Sequence, residues 1–262
     1  MKSIITVLFF STLILSGMTQ TACPPCRNQQ VSNTYALAGS KDIGTFDLAS
    51  GVFTLLSTIT GVAMNRITVT PDNEVYGSTN TQIYKINPAD GSIVAIGSGT
   101  GRLLQTFAFG PNGVLYAIDI DNNFCEIDLT TGVASVLFDI AGYNDLAYGM
   151  VWDPIDQIFY FTSEDGNGNG SQLATLTLDG TFTLTTLLNP LYELVNGLFL
   201  DGETLIGINY TREILTIDKT TGLETQTGTV TGTTSNINTV IRASTCESPS
   251  RRVLLARKKR LL

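Results

Sequence analysis

The sequence predicts an all-β fold: a five-bladed β-propeller of four-stranded antiparallel blades, its ring closed by a C-terminal strand that joins the N-terminal blade. Three observations carry this reading. First, a short pattern recurs at residues 43–51, 83–91, 124–132, 173–180 and 214–222, closing on Gly51, Gly91, Gly132, Gly180 and Gly222. The closing glycines are 40, 41, 48 and 42 residues apart, and a period of roughly 40–50 residues built from short strands marks a propeller. Second, apolar alternation is bounded by Gly, Pro, Asn and Asp turns throughout, and no helical period is sustained in the mature region. Third, the first unit starts at Thr34 with its second strand, and residues 238–243 supply the missing innermost strand at the other end. Such an overlap removes the free edges of a ring.

The chain begins with Lys2, an apolar run over residues 4–15 and a zone of small residues ending at Ala22. This is the order of a secretory leader, expected over residues 1–22. The run is shorter than the ~20 apolar residues that a membrane span needs. Residues 23–33 form a Cys/Pro segment, residues 34–246 the propeller, and residues 247–262 a basic tail expected to be disordered. Cys23 and Cys26 precede the first strand and Cys246 follows the last, so a bridge from either to Cys246 would staple the seam. The other reading of Cys23-Pro-Pro-Cys26 is a redox pair, although no βαβ pattern surrounds it. Cys125 lies inside the third unit, where a buried free thiol is expected.

The third unit shows the blade grammar in full. Residues 106–109, 114–118, 124–128 and 133–138 read as strands, separated by a Gly-Pro-Asn-Gly turn, a hairpin over 119–123 and a turn ending at Gly132. The second, fourth and fifth units repeat it from Asn65, Tyr148 and Asn196. Asp47, Asn87, Asp128 and Asp218 each precede a glycine by four residues. Their side chains are expected to bond nearby backbone N–H groups while the glycine supplies a positive φ, a structural role. Trp152 falls on an inner strand and is read as core.

Residues 107–119 (Phe-Ala-Phe-Gly-Pro-Asn-Gly-Val-Leu-Tyr-Ala-Ile-Asp) and 151–160 (Val-Trp-Asp-Pro-Ile-Asp-Gln-Ile-Phe-Tyr) resemble the strand–turn–strand units of secreted propellers in the broad quinoprotein-like and NHL/lactonase-like superfamilies. The resemblance covers about residues 34–243 and rests on turn and core positions, so it implies the fold and leaves the activity open. Quinone-binding members resemble larger rings with dedicated cofactor ligands, which have no equivalent here. Lactonase-like members resemble six-bladed calcium enzymes, one blade more than this chain counts.

Composition removes several chemistries. The chain has no histidine, which excludes Ser-His-Asp and Cys-His nucleophiles, an imidazole base and His-bound metals. Residues 3–246 hold eight basic and 22 acidic side chains, whereas residues 247–262 hold six basic and one acidic. An acidic body argues against nucleic acid as a partner. It suits cations, neutral sugars or basic partners.

Candidate sites belong to the face that carries the inter-blade links and the hairpins between second and third strands. Asn65, Gln105, Asn196 and Asn238 open inner strands, with Tyr148 at the same place in the remaining unit. They could converge on the channel mouth to bind a sugar or another neutral polar ligand, or each could cap its own link. Asp165, Asn167 and Asn169 alternate as in the first half of a calcium loop. Leu176 stands where an EF-hand closes with Glu, so a weak calcium site and a plain Gly/Asn hairpin are both open. Asp145, Glu193 and Asp153 lie near predicted links and are the carboxylates from which an acid–base pair could be built, as in five-bladed glycosidases, which this plan resembles. Asn169-Gly-Ser and Asn209-Tyr-Thr are glycosylation sequons. The combined expectation is a secreted, monomeric, non-catalytic binding or cell-surface module for an extracellular glycan or protein. The alternative is a carboxylate- or calcium-dependent hydrolase or lactonase with its site at the channel.

Overall fold

The structure, a computed structural model, describes residues 34–164, 171–185 and 194–242. It is a five-bladed propeller. The first blade runs outward from β20 (Ile237–Arg242) through β1 (Thr34–Ala38) and β2 (Asp42–Asp47) to β3 (Val52–Thr58). The second holds β4 (Arg66–Val69), β5 (Val75–Ser78), β6 (Ile83–Ile86) and β7 (Ile93–Ala95). The third holds β8 (Leu104–Phe109), β9 (Leu115–Asp119), β10 (Asn123–Ile127) and β11 (Ala134–Asp139). The fourth holds β12 (Ala147–Asp153), β13 (Ile158–Glu164), β14 (Ser171–Leu176) and β15 (Phe182–Thr185). The fifth holds β16 (Val195–Asp201), β17 (Thr204–Asn209), β18 (Glu213–Ile217) and β19 (Glu224–Thr229). All ladders within the blades are antiparallel, and β20 pairs with β1 from Thr34–Arg242 to Ala38–Ile237.

The five inner strands, β4, β8, β12, β16 and β20, stand side by side around one axis. Because successive strands reverse direction, inner strands begin at the face of the inter-blade links and end at the opposite face. The predicted leader, the Cys/Pro segment, Cys246 and the basic tail lie outside the described residues.

The apolar core is divided by interface, one cluster to each pair of neighbouring blades. Tyr116, Phe124, Trp152, Phe159 and Phe161 fill the third and fourth. Leu37, Ile43, Ile67 and Val75 fill the first and second, and Phe46, Phe53, Phe199 and Ile208 the fifth and first. Ile83, Phe107 and Leu115 join the second to the third, and Tyr160, Leu173, Leu198 and Leu205 the fourth to the fifth. Trp152 is 5% exposed, with its ring 4.8 Å from that of Phe159, the core position read from sequence.

The recurring turns behave as expected locally. Asp47 Oδ1 accepts from the Ser50 N–H, Asn87 Oδ1 from Ala89, Asp128 Oδ1 from Thr130, and Asp218 Oδ1 from Thr220 and Thr221. These bonds hold the carboxyls of Asp47, Asp128 and Asp218 below their ordinary range. Three of these glycines also do something the repeat did not reveal: they seat their blades on the preceding ones. A Cβ on Gly132 would lie 2.2 Å from the carbonyl oxygen of Ile96, one on Gly91 2.5 Å from that of Thr58, and one on Gly51 2.5 Å from that of Thr229. The carbonyl belongs in each case to the end of the outer strand in the preceding blade.

This separates two costs of replacing glycine. Gly113 has φ +73° with open space around it, whereas Gly132 has φ +80° against the neighbouring blade. Gly113→Ala is expected to lose about 1 kcal/mol, the left-handed backbone penalty alone. Gly132→Ala is expected to lose about 3 kcal/mol, because overpacking adds to that penalty. Urea unfolding of the two variants checks the difference; equal losses would remove the inter-blade role.

Candidate functional site

The channel mouth is assembled from the openings of the inner strands, and bulges shape it. The β8–β9 register shifts between Leu104 and Thr106, which sets Gln105 outside the ladder. The same happens between Ala147 and Met150 around Tyr148, between Val195 and Gly197 at Asn196, and opposite Leu37 and Ala38 at Asn238. Asn65 precedes β4 and donates its backbone N–H to the Ser78 carbonyl. A bulge re-aims a side chain out of the pleat, so one device acts at four of the five positions singled out in the sequence.

Their side chains divide into two groups. Asn65 Nδ2 donates to Asn80 Oδ1, tying the strand opening to the hairpin of its own blade. Gln105 Oε1 accepts from the Ala147 N–H at 2.6 Å, linking the third blade to the fourth. Asn196, 6% exposed, makes no side-chain hydrogen bond among the described residues, and the same is true of Asn238. The Tyr148 hydroxyl lies 3.5 Å from Glu164 Oε2. Burial, and then the Glu164 charge, raise its pKa.

One residue at the mouth escaped the sequence reading. Arg66 extends from the second blade, its guanidinium 5.5 Å from the ring centroid of Tyr148 in the fourth. Its Nη1 donates to the Asn238 carbonyl at 3.1 Å and to the Asn65 carbonyl at 3.4 Å. It thus touches three blades across the axis. Arg66 forms no ion pair among the described residues. Its Nε is buried without a partner, and burial lowers its pKa to about 10. The repeat contained a signal for it. The residues following Gln105, Tyr148, Asn196 and Asn238 are Thr106, Gly149, Gly197 and Thr239, so Arg66 is the one large cation in a series of small side chains.

The candidate acids do not assemble. Asp145 lies on the link before β12, on the mouth side. Asp153 ends β12, and a seven-residue strand carries it about 20 Å from the mouth, so its expected place near an inter-blade link is corrected to the opposite face. There it is 1% exposed and paired with Lys219 of the fifth blade, which also reaches Asp156 at 3.3 Å. Burial alone would raise the Asp153 carboxyl. Lys219 and the N–H groups of Ile155 and Asp156 overcome that and hold it below its ordinary range. Glu193, and the calcium-loop residues Asp165, Asn167 and Asn169, lie outside the described residues. Among the described residues no group of three His, Cys, Asp or Glu side chains is gathered to hold a metal. Buried Asp119 is consumed by its hairpin, accepting from Arg102, Asp121 and Asn123. Asn209, the first residue of one sequon, is 2% exposed and bonded to Thr211 and Glu213. The folded protein therefore does not offer it for glycosylation.

At the far end of the channel, Thr68, Ala108, Trp152, Phe199 and Ile241 line a shallow depression. No helix among the described residues is long and apolar enough to cross a membrane.

No protein-family model matches the chain, and no curated protein matches it. Solved structures do. A protein of unknown function from Bacteroides caccae is 11% identical over 82% of this chain and 99% of its own, with a TM-score of 0.52. Another of unknown function, from Bacteroides thetaiotaomicron, is 15% identical over 80% of this chain and 64% of its own, with a TM-score of 0.53. Virginiamycin B lyase from Staphylococcus aureus is 16% identical over 72% of this chain, with a TM-score of 0.47, and the chain spans 63% of that lyase. At these identities the likeness to the two Bacteroides structures is one of fold alone.

Two predictions follow from the placed side chains. Asp153→Asn is expected to cost about 2–3 kcal/mol at pH 7, below the ~3–5 kcal/mol of a fully buried pair because Lys219 is partly solvated. A carboxyl lowered in the folded state stabilises above its unfolded pKa and ceases to do so as pH falls through its folded one. The gap between variant and parent should therefore close below about pH 4, as chemical denaturation across pH will read. Cys125 is fully buried and unpaired, and burial, then the Asp119 charge, push its thiol up to about 11. A thiol reagent at pH 8 should label it only at the rate of unfolding; fast labelling of the native protein would contradict this burial.

Proposed function

We propose that the chain is a secreted, non-catalytic binding propeller that takes its ligand on the link face, over the channel mouth. The observation that carries this reading is the pair of amides on Asn196 and Asn238, which make no side-chain hydrogen bond among the described residues although bulges turn both out of their ladders. Neither amide is sealed from solvent, so a ligand offering donors and acceptors would take the place of water on both. Amides with a tyrosine face and a carboxylate suit hydroxyl-rich ligands better than apolar ones, so a glycan is favoured over a protein segment. Secretion rests on the leader reading of residues 1–22, and the acidic body speaks against nucleic acid.

A hydrolase or lactonase would need two acids held at a defined separation near the channel. Asp153 is far from the mouth and Glu193 lies outside the described residues, which leaves Asp145 alone among the described candidates. Calcium belongs to the proposal only through Asp165, Asn167 and Asn169.

The test is a broad glycan array probed with the purified chain, with and without calcium. Selective binding that Asn196→Ala and Asn238→Ala each weaken about tenfold is the expected result, the loss of one or two good hydrogen bonds. Calcium dependence removed by Asp165→Asn would add the metal. Reproducible hydrolysis abolished by Asp145→Asn or Glu193→Gln would overturn the non-catalytic reading.

A further inference from the structure

We infer that the channel mouth is built to receive a carboxylate carried by an acidic sugar, with Arg66 as its counter-charge. This rests on the binding reading above and adds the charge of the ligand. A guanidinium has five N–H groups. In Arg66 only Nη1 has acceptors, the carbonyls of Asn238 and Asn65. Nε is sealed without a partner, and Nη2 has no acceptor yet is not sealed. Carbonyls and the Tyr148 ring face supply partial negative charge, but none of them neutralises a full positive charge. Within a chain holding 22 acidic side chains between residues 3 and 246, Arg66 still has no carboxylate within ion-pair distance among the described residues. A half-buried cation without an acid is unfavourable in the free protein and favourable once an anion sits on it.

The alternatives divide on chemistry. An arginine fork matches a planar carboxylate, and charge-assisted bonds of this kind are about twice as strong as neutral ones. Beside Arg66 stand Asn238, whose carbonyl it bonds and whose amide is unbonded, and Tyr148, with Glu164 behind its hydroxyl; Asn196 opens the inner strand of the fifth blade, between theirs. These are partners for sugar hydroxyls around the acid, and no apolar pocket accompanies them to seat a peptide side chain. The acidic body would repel an anion at long range. At physiological salt, however, charges more than about 8 Å away are largely screened, so direct contact with Arg66 governs affinity.

The experiment is calorimetric titration of the full chain with two acidic probes, trigalacturonate and sialyllactose, each against its neutral methyl ester. At least one acid is expected to bind tenfold or more tightly than its ester. Arg66→Gln should abolish the preference for that acid over its ester. Arg66→Lys should keep part of the preference, and melting curves will confirm that both variants fold. The acid–ester comparison on the unaltered protein stands even if Arg66→Gln does not fold. Equal affinity for acid and ester, or a preference that survives Arg66→Gln, overturns the inference and leaves the binding reading intact. Binding of neutral glycans on the array with neither acid bound has the same meaning. Silence of every glycan in both experiments removes both. Displacement of the bound acid by peptides with a free C-terminal carboxylate, at equal or better affinity, overturns the assignment to a sugar.

Discussion

The ladder between β20 and β1 is the interaction on which everything else depends. No blade has a core of its own; the apolar side chains fill five interfaces, and the interface between fifth and first blades exists only when the ring is closed. Closure joins strands about 200 residues apart in the chain, a costly loop in entropy that the other four interfaces cannot replace. Once it forms, the inner strands are fixed around one axis, and the positions of Asn196, Asn238, Tyr148 and Arg66 follow. The mouth is therefore a property of the whole ring.

Closure between neighbouring blades is finished by backbone rather than by side chains. Gly51, Gly91 and Gly132 bring their Cα atoms against carbonyls where no other residue fits. Lys219 and Asp153 add a polar pin between fourth and fifth blades on the face away from the mouth. Outer turns and inner strands thus hold the same register from two radii, which keeps bulged residues at the mouth in fixed directions.

Much of this was legible in the sequence, for a physical reason. Turns need Gly, Asn and Asp at fixed offsets, so a repeat of turns prints itself on the chain. Thr34 and residues 238–243 showed the shared first blade because a strand was missing at one end and present at the other. What stayed hidden depends on contacts about 40 residues apart or across the axis. The glycines read as turn makers because the neighbouring carbonyl leaves no mark beside them. Asp153 reads as near a link because a strand's residues do not say which of its ends reaches which face. Arg66 was overlooked because it was compared with its neighbours in the chain, not with Thr106, Gly149, Gly197 and Thr239 in the ring. Gln105 and Asn65 were grouped with Asn196 and Asn238, although only coordinates separate an amide that caps a strand from one that does not.

The pairing of Thr34 with Arg242 has a geometric consequence. Both described ends leave the same blade at the far end of an inner strand, on the face opposite Arg66. The points of attachment at both ends therefore lie behind the disc, and the mouth looks outward like a dish on its mount. A rigid fusion or immobilisation made directly at Thr34 or Arg242 would face away from the mouth.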